Sequence, residues 1–112
     1  MLARHGLKFG DIALWEIREA FAAQVLANVK AASDADYRKR RAGVDFDLGP
    51  FFRERVNPNR GSLAIGHPFA ATGSRILSQA SKELAAMPKG KRAIVSICAD
   101  GGQGTVALLE RV

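Results

Sequence analysis

The sequence predicts an α/β fold in which helices pack on a mixed sheet. Three observations carry that expectation. The run Ala93-Ile94-Val95-Ser96-Ile97-Cys98 is apolar throughout, as in a strand buried on both faces. Two segments, one around Phe21 and Val25 and one around Ile76 and Ala80, repeat apolar residues at helical spacing. Gly101-Gly102-Gln103-Gly104 then reverses the chain into a final apolar stretch.

The elements follow in order. Ile12, Leu14 and Ile17 nearly alternate after Gly10-Asp11, which predicts a short strand over 12–16. Ile17, Phe21, Val25 and Val29 step by four, with Ala20, Ala27 and Ala32 on the same side. That spacing predicts a helix from near Ile17 to near Ala32, broken by Ser33-Asp34-Ala35-Asp36. Glu16 and Glu19 would then sit in its first turn, where acidic side chains favour the helix dipole. Residues 34–57 are the least regular, with Phe46, Phe51 and Phe52 expected to anchor a long loop. Pro58 and Gly61 punctuate a turn. Leu63-Ala64-Ile65 reads as a short buried strand entering Gly66-His67-Pro68. Thr72 or Ser74 is a candidate cap for a helix reaching about Met87, with Ile76, Leu77, Ala80 and Leu84 as its apolar face and Pro88-Lys89-Gly90 as its stop. The strand over 93–98, the glycine turn and a returning strand over 105–112 complete the layer.

Size and composition set bounds. The 112 residues make one domain at most, and 47% hydrophobic residues are enough to bury a core. A single cysteine excludes an internal disulfide and a cysteine-cluster zinc site, and fits the cytoplasm or another reducing compartment. The N-terminus lacks the apolar run of a signal peptide, and no stretch approaches the roughly 20 apolar residues of a membrane helix. The net charge of +6 gathers at Arg38-Lys39-Arg40-Arg41 and at Lys89, Lys91 and Arg92. No aromatics interleave the first run, so a solvated loop is expected rather than a nucleic-acid site.

The chemistry lies on two glycine-rich bends. Gly66-His67-Pro68-Phe69-Ala70-Ala71-Thr72-Gly73 carries the second of two histidines, and Cys98-Ala99-Asp100-Gly101-Gly102-Gln103-Gly104 carries the only cysteine. Pro68 keeps His67 out of helical geometry, just ahead of a helix N-terminus that attracts anions. The small residues Ala70, Ala71 and Gly73 leave room beside it for a ligand. The ordinary alternative is a loop histidine that merely hydrogen-bonds its surroundings. Cys98 ends an apolar strand, where a lone cysteine is commonly a small core residue. Its glycine-rich successor instead offers open backbone and N–H groups to a developing oxyanion. Imidazole and thiol are the side chains most easily tuned to move protons near neutral pH.

Three segments in this order resemble the C-terminal half of the thiolases, acyl-CoA acyltransferases. Trp15-Glu16-Ile17-Arg18-Glu19-Ala20-Phe21-Ala22 is similar to the family's Asn-Glu-Ala-Phe segment. Val56-Asn57 and Gly61 through Gly73 resemble its Gly-His-Pro signature, and Cys98 through Gly104 its cysteine-glycine signature. Phe69-Ala70-Ala71-Thr72, the Gly-Gly-Gln-Gly turn and the long loop over 34–57 look most like the fatty-acid-oxidation branch, which includes the trifunctional-enzyme β subunit.

The resemblance implies a layered α/β thiolase-like fold, of which residues 1–112 are the C-terminal portion. It also implies a two-step exchange. A cysteine nucleophile takes an acyl group from a 3-ketoacyl-CoA, and coenzyme A then accepts it; the reverse is a Claisen condensation. His67 matches the base that activates the nucleophile and a donor to the thioester oxyanion. Cys98 matches the acid/base at the α-carbon. Arg18, Asp100 and Gly101 fall at positions that bound the oxyanion and orient substrate. Phe21, Gly66 and Phe69 fall along the coenzyme A and acyl channel. No cofactor or metal is implied, coenzyme A thioester being the substrate.

Four departures accompany the likeness. No second cysteine is present, so the nucleophile is expected on a missing N-terminal half, without which this chain should not turn over. That absence should leave open sheet edges and apolar faces that invite association, and the family's complete members are homo-oligomers. Arg18 stands where thiolases carry Asn or His to hold an oxyanion-binding water, and either folds away or holds an anion itself. Asp100 stands in place of Gly or Ala, where its carboxylate opposes a nearby oxyanion, and Arg60 replaces a usual glycine. Alternatives to a thiolase part are a non-catalytic remnant or interaction module of the same fold, a basic nucleic-acid-binding domain, and a ketoacyl synthase, which would lack a cysteine at position 98.

Overall fold

A computed structural model describes residues 1–112. Three strands form one sheet in the order β1 (Ile12–Ile17), β2 (Arg92–Ala99), β3 (Gln103–Glu110). The apolar run is the central strand, as expected. β1 lies parallel to β2, with Leu14 opposite Ala93 and Ile17 opposite Ser96, while β3 returns antiparallel with Gly104 opposite Cys98. A single parallel bridge from Trp15 to Val56 extends the sheet past β1. Two parallel neighbours need a crossover. It consists of helices α1 (Ala22–Ser33), α2 (Ala35–Ala42), α3 (Ser62–Ile65) and α4 (Thr72–Ala85).

Each face of the sheet has its own core. On one, Ile76, Ala80 and Leu84 of α4 pack on Leu14, Ala93 and Val95. On the other, Leu2, Phe9, Ile12, Trp15, Ile17, Leu48 and Ile94 cluster, with Val25, Ala32 and Phe51 against them. Phe9, Trp15 and Phe51 meet edge to face at 5.1–5.8 Å between ring centres. Alternation along β2 sends Ala93 and Val95 one way and Ile94 the other. In β1 the register shifts between Ile12 and Leu14. That bulge puts Ile12, Trp15 and Ile17 on the aromatic side, and Leu14 with Glu16 toward α4.

Several expectations change. The first helix begins at Ala22 rather than near Ile17, and Glu16 and Glu19 lie outside it. Ile17 is held in β1 by its pairing with Ser96, and its N–H donates to Asn57 Oδ1 at 2.8 Å; these long-range bonds override the four-residue spacing. The basic run is not loop but α2. Asp34 caps it by accepting the Tyr37 N–H at 2.8 Å, and left-handed Gly43 ends it. Its charges are partly spent locally. The Arg38 guanidinium lies 5.5 Å from the centre of the Phe9 ring, and Lys39 pairs with Asp45 at 2.9 Å. Of the three loop phenylalanines, Phe51 is the true anchor. Phe52 lies under the Arg55 guanidinium at 4.3 Å, and Phe46 is exposed.

Leu63-Ala64-Ile65 is one turn of helix, not a buried strand, and Leu63 and Ile65 are exposed. Glu19 Oε2 accepts the Leu63 N–H at 2.9 Å, and the Gly61 carbonyl accepts those of Ala64 and Ile65. Neither Thr72 nor Ser74 caps α4, since their hydroxyls donate back to the carbonyls of Pro68 and Ala71. α4 stops at Ala85, two residues before Met87, and Leu77 is exposed rather than part of its packed face. The last strand starts at Gln103 and ends at Glu110.

Candidate active site

The C-terminal ends of the two parallel strands set the site. The Arg18 N–H donates to the Ser96 carbonyl at 2.9 Å, carrying the pairing one residue past β1, so Arg18 arrives beside the end of β2 and Cys98. Ligands of parallel sheets are held in the crevice outside such strand ends. A cleft of about 540 Å³ opens there. Seven of the eight residues expected at a site line it: Arg18, Phe21, His67, Phe69, Cys98, Asp100 and Gly101. The eighth, Gly66, does not line it; it ends α3 with φ 107° and turns the chain into His67. A more apolar cavity of about 270 Å³ on the opposite face, beside Trp15, Phe51 and Ile94, contains no titratable side chain.

His67 is fixed at both ring nitrogens. Nδ1 lies 2.7 Å from Thr72 Oγ1, whose hydroxyl donates to the Pro68 carbonyl at 3.0 Å. Thr72 therefore accepts, and Nδ1 carries the proton. Nε2 lies 2.7 Å from Arg18 Nη2, which can only donate, so Nε2 is the bare, accepting nitrogen. The Phe69 ring meets the imidazole edge to face at 5.3 Å. His67 stands at the end of α3 rather than at a strand tip.

Arg18 does not fold away. Its Nη1 donates to the Cys98 carbonyl and its Nη2 to His67, so one guanidinium ties the two signatures together. Its Nε is buried without a partner. The ion pairs of the chain lie elsewhere, at Lys8–Asp47, Lys39–Asp45 and Arg92–Glu110.

Cys98 is half-buried and free, and Gly104 opposite it places no side chain across the hairpin. Gly101 and Gly102 both have φ above +70°, which a side chain would strain, so the bend after Cys98 needs its glycines. Asp100 Oδ1 accepts the Gly101 N–H at 2.8 Å. That donor, which follows the Asp100 N–H expected at the oxyanion position, is spent on the turn itself.

Three residues escaped assignment to the site, although all lie in or beside the quoted motifs. Asn57 closes the end of β1, with Oδ1 accepting from Ile17 N and Nδ2 donating to Ile17 O at 2.9 Å. Its Nδ2 also donates to Glu19 Oε1 at 2.8 Å. Glu19, read as a helix-dipole residue, therefore joins the Arg18 loop to the α3 turn that leads to His67. Gly61 makes room for it, since a Cβ there would fall 2.1 Å from the Glu19 carboxyl carbon. Asn57 and Arg60 both adopt left-handed φ, 47° and 72°, so the arginine sits in a glycine-like conformation. Glu16 is the third. Only 1% exposed, it accepts from Gln79 Nε2 at 3.4 Å. Burial first, and then the nearby Glu83 charge, pushes its carboxyl up from 4.5 to about 7.

A bare imidazole nitrogen, a thiol and a guanidinium thus share one crevice, which suits proton transfer beside a developing negative charge. The family model described as "Thiolase, C-terminal domain" matches residues 1–111. The 3-ketoacyl-CoA thiolase of Pectobacterium carotovorum subsp. carotovorum (strain PC1) is 41% identical over 109 residues, 97% of this chain and 25% of that protein. That of Shewanella loihica (strain ATCC BAA-1088 / PV-4) is 39% identical over the same shares. Among solved structures, the peroxisomal 3-ketoacyl-CoA thiolase of Saccharomyces cerevisiae, described as five-layered with two core domains of identical topology, superposes with TM-score 0.73 at 32% identity. The match covers 99% of this chain and 26% of that one. Acat5 thiolase from Ascaris suum in complex with coenzyme A gives 0.71 at 32%, covering 99% and 24%. The chain spans about a quarter of the length of these relatives. It belongs to the thiolase family, within which it corresponds to the C-terminal domain.

Proposed function

We propose that this chain supplies the acid/base part of a thiolase centre, exchanging acyl groups between a 3-ketoacyl thioester and coenzyme A. The single observation that carries the reading is the meeting of His67 and Cys98 in one crevice at the ends of β1 and β2. In this reading Cys98 exchanges a proton with the α-carbon of the acetyl unit. His67, with Nδ1 anchored on Thr72, presents Nε2 to the nucleophile and later to the thiol of coenzyme A once Arg18 releases that nitrogen. Phe21 and Phe69, both largely exposed, flank the pantetheine and acyl path. The only cysteine is already assigned, so in this reading the nucleophile comes from an N-terminal thiolase segment. The complete enzyme is a homo-oligomer working in a reducing compartment such as the cytoplasm, on a thioester substrate and without a cofactor. No helix here is long and apolar enough to cross a membrane.

The test is reconstitution. The chain is mixed with a separately produced N-terminal segment of the Pectobacterium relative, and cleavage of acetoacetyl-CoA is followed. Turnover that requires both pieces and disappears in Cys98→Ala and His67→Ala supports the reading; no turnover at any ratio overturns it. A non-catalytic role for the same fold has one observation in its favour: Arg18 already occupies His67 Nε2. Under that role reconstitution yields complex without turnover.

A further inference from the structure

Arg18 is a permanent cation with no carboxylate partner. A guanidinium carries five N–H donors and cannot be deprotonated in a protein. Here two of them are used, on the Cys98 carbonyl and His67 Nε2. Both acceptors are neutral, so neither offsets the charge. A third donor, Nε–H, is buried and unpartnered. A half-buried charge without a counter-ion is costly, and an anion that reaches it is held more strongly than in water. The one carboxylate lining the same crevice, Asp100, is turned onto the Gly101 N–H and forms no ion pair with Arg18.

A neutral oxyanion donor responds mainly to charge that develops during reaction. A guanidinium also binds charge that is present from the outset. We infer that Arg18 makes this crevice a carboxylate receptor, so that it takes a free short-chain acid or an acyl thioester bearing a second carboxyl group. The planar fork of Arg18 matches a carboxylate in two-point contact through the second N–H of Nη1 and of Nη2, Nε–H being buried away from the crevice. The exposed rings of Phe21 and Phe69 border the same crevice and offer apolar surface to the short chain between the carboxylate and the rest of the ligand. The inference concerns binding and does not require that the chain take part in thiolysis.

The experiment is a titration of the 112-residue chain at constant ionic strength. Three probes are used: succinate, succinyl-CoA, and butyryl-CoA, which has the same chain length but no second carboxylate. The ¹⁵N–¹H resonance of Arg18 Nε and the ring nitrogens of His67 report occupancy. Succinate is expected to shift both, and succinyl-CoA to bind at least about tenfold more tightly than butyryl-CoA, the usual worth of one charge-assisted hydrogen bond. Arg18→Gln should abolish the response and the discrimination, and Arg18→Lys should keep part of each. A response to succinate without discrimination between the thioesters identifies the free acid as the ligand; discrimination without a response to succinate identifies the thioester. Equal binding of the two thioesters together with silence toward succinate in the wild-type chain overturns the inference. So does a response that survives in Arg18→Gln. The wild-type arm stands if that variant does not fold. Failed reconstitution with an intact carboxylate response refutes only the thiolase reading, and the reverse outcome refutes only this one.

Discussion

Replacing Glu16 by Gln tests the electrostatics behind the sheet. Glu16 is buried between β1 and α4, with Gln79 as its donor, Glu83 nearby and Arg75 as the opposing cation. Its carboxyl is raised from 4.5 to about 7 in the folded chain, with burial as the leading cause. Between those two values the folded state holds a proton that the unfolded state has released. Stability is therefore highest below pH 4.5 on this account, falls as pH rises through the window, and is lowest above about 7. The steepest loss is about 1.4 kcal/mol per pH unit, and the accumulated cost at pH 8 reaches up to about 3 kcal/mol. Glu16→Gln keeps an acceptor for Gln79 and cannot ionise. It should leave stability near pH 4.5 within about 0.5 kcal/mol of wild type and gain up to about 3 kcal/mol at pH 8, roughly 10 °C in Tm for a chain this size. Urea denaturation at half-unit steps from pH 4.5 to 8 measures the difference directly, cancelling titrations common to both chains. Parallel wild-type and variant curves between pH 5 and 7 would refute a buried, proton-holding Glu16.

Asn57→Ala strands the N–H and C=O of Ile17 at the end of β1, and should cost about 2–3 kcal/mol in denaturant unfolding. Gly61→Ala drives a methyl group into the Glu19 carboxylate, so the Leu63 amide should lose hydrogen-exchange protection and stability should fall by about 2 kcal/mol or more. Arg60→Gly relieves a left-handed residue, and once the added chain entropy of glycine is counted it should stabilise by about 0.5–1 kcal/mol, read as a Tm rise. Thr72→Val removes the acceptor from His67 Nδ1 while Arg18 still donates to Nε2, so ring ¹⁵N shifts should keep the Nδ1–H tautomer with the Nδ1 resonance displaced by loss of its hydrogen bond.

The sequence is most legible where one local rule acts alone. β2 is an unbroken apolar run, and the α4 stripe Ile76, Ala80 and Leu84 is buried as its spacing requires. Failures fall where distant groups decide. Ile17 and Phe21 share a helical spacing, yet Ile17 is claimed by Ser96 and Asn57 from segments far along the chain. Leu63 and Ile65 alternate as in a strand, yet Glu19 reaches over from the other side of the loop to set a helical turn. α2 was hidden because its four-cation run has no apolar stripe, and its signals are the Asp34 cap and the Gly43 stop. At the site, residue types and glycine spacing singled out His67 and Cys98, the resemblance to thiolases added Arg18 and Phe69, and all four line one crevice. The supports, Thr72, Asn57 and Glu19, act through side-chain hydrogen bonds that no periodicity reports.

The irregular step between Ile12 and Leu14 sets the phase of everything that follows it on β1. Had the strand kept strict two-residue alternation from Ile12, Glu16 would project toward the layer of Phe9 and Phe51, away from Gln79. One surplus backbone unit rotates that carboxylate instead toward the side where Gln79 and Arg75 wait. Excising Ala13 would therefore remove the irregular step yet leave Glu16 facing Gln79, because Leu14 would then follow Ile12 as Ala93 follows Arg92; forcing the intact sequence into regular pairing is what would turn the carboxylate toward the aromatic layer.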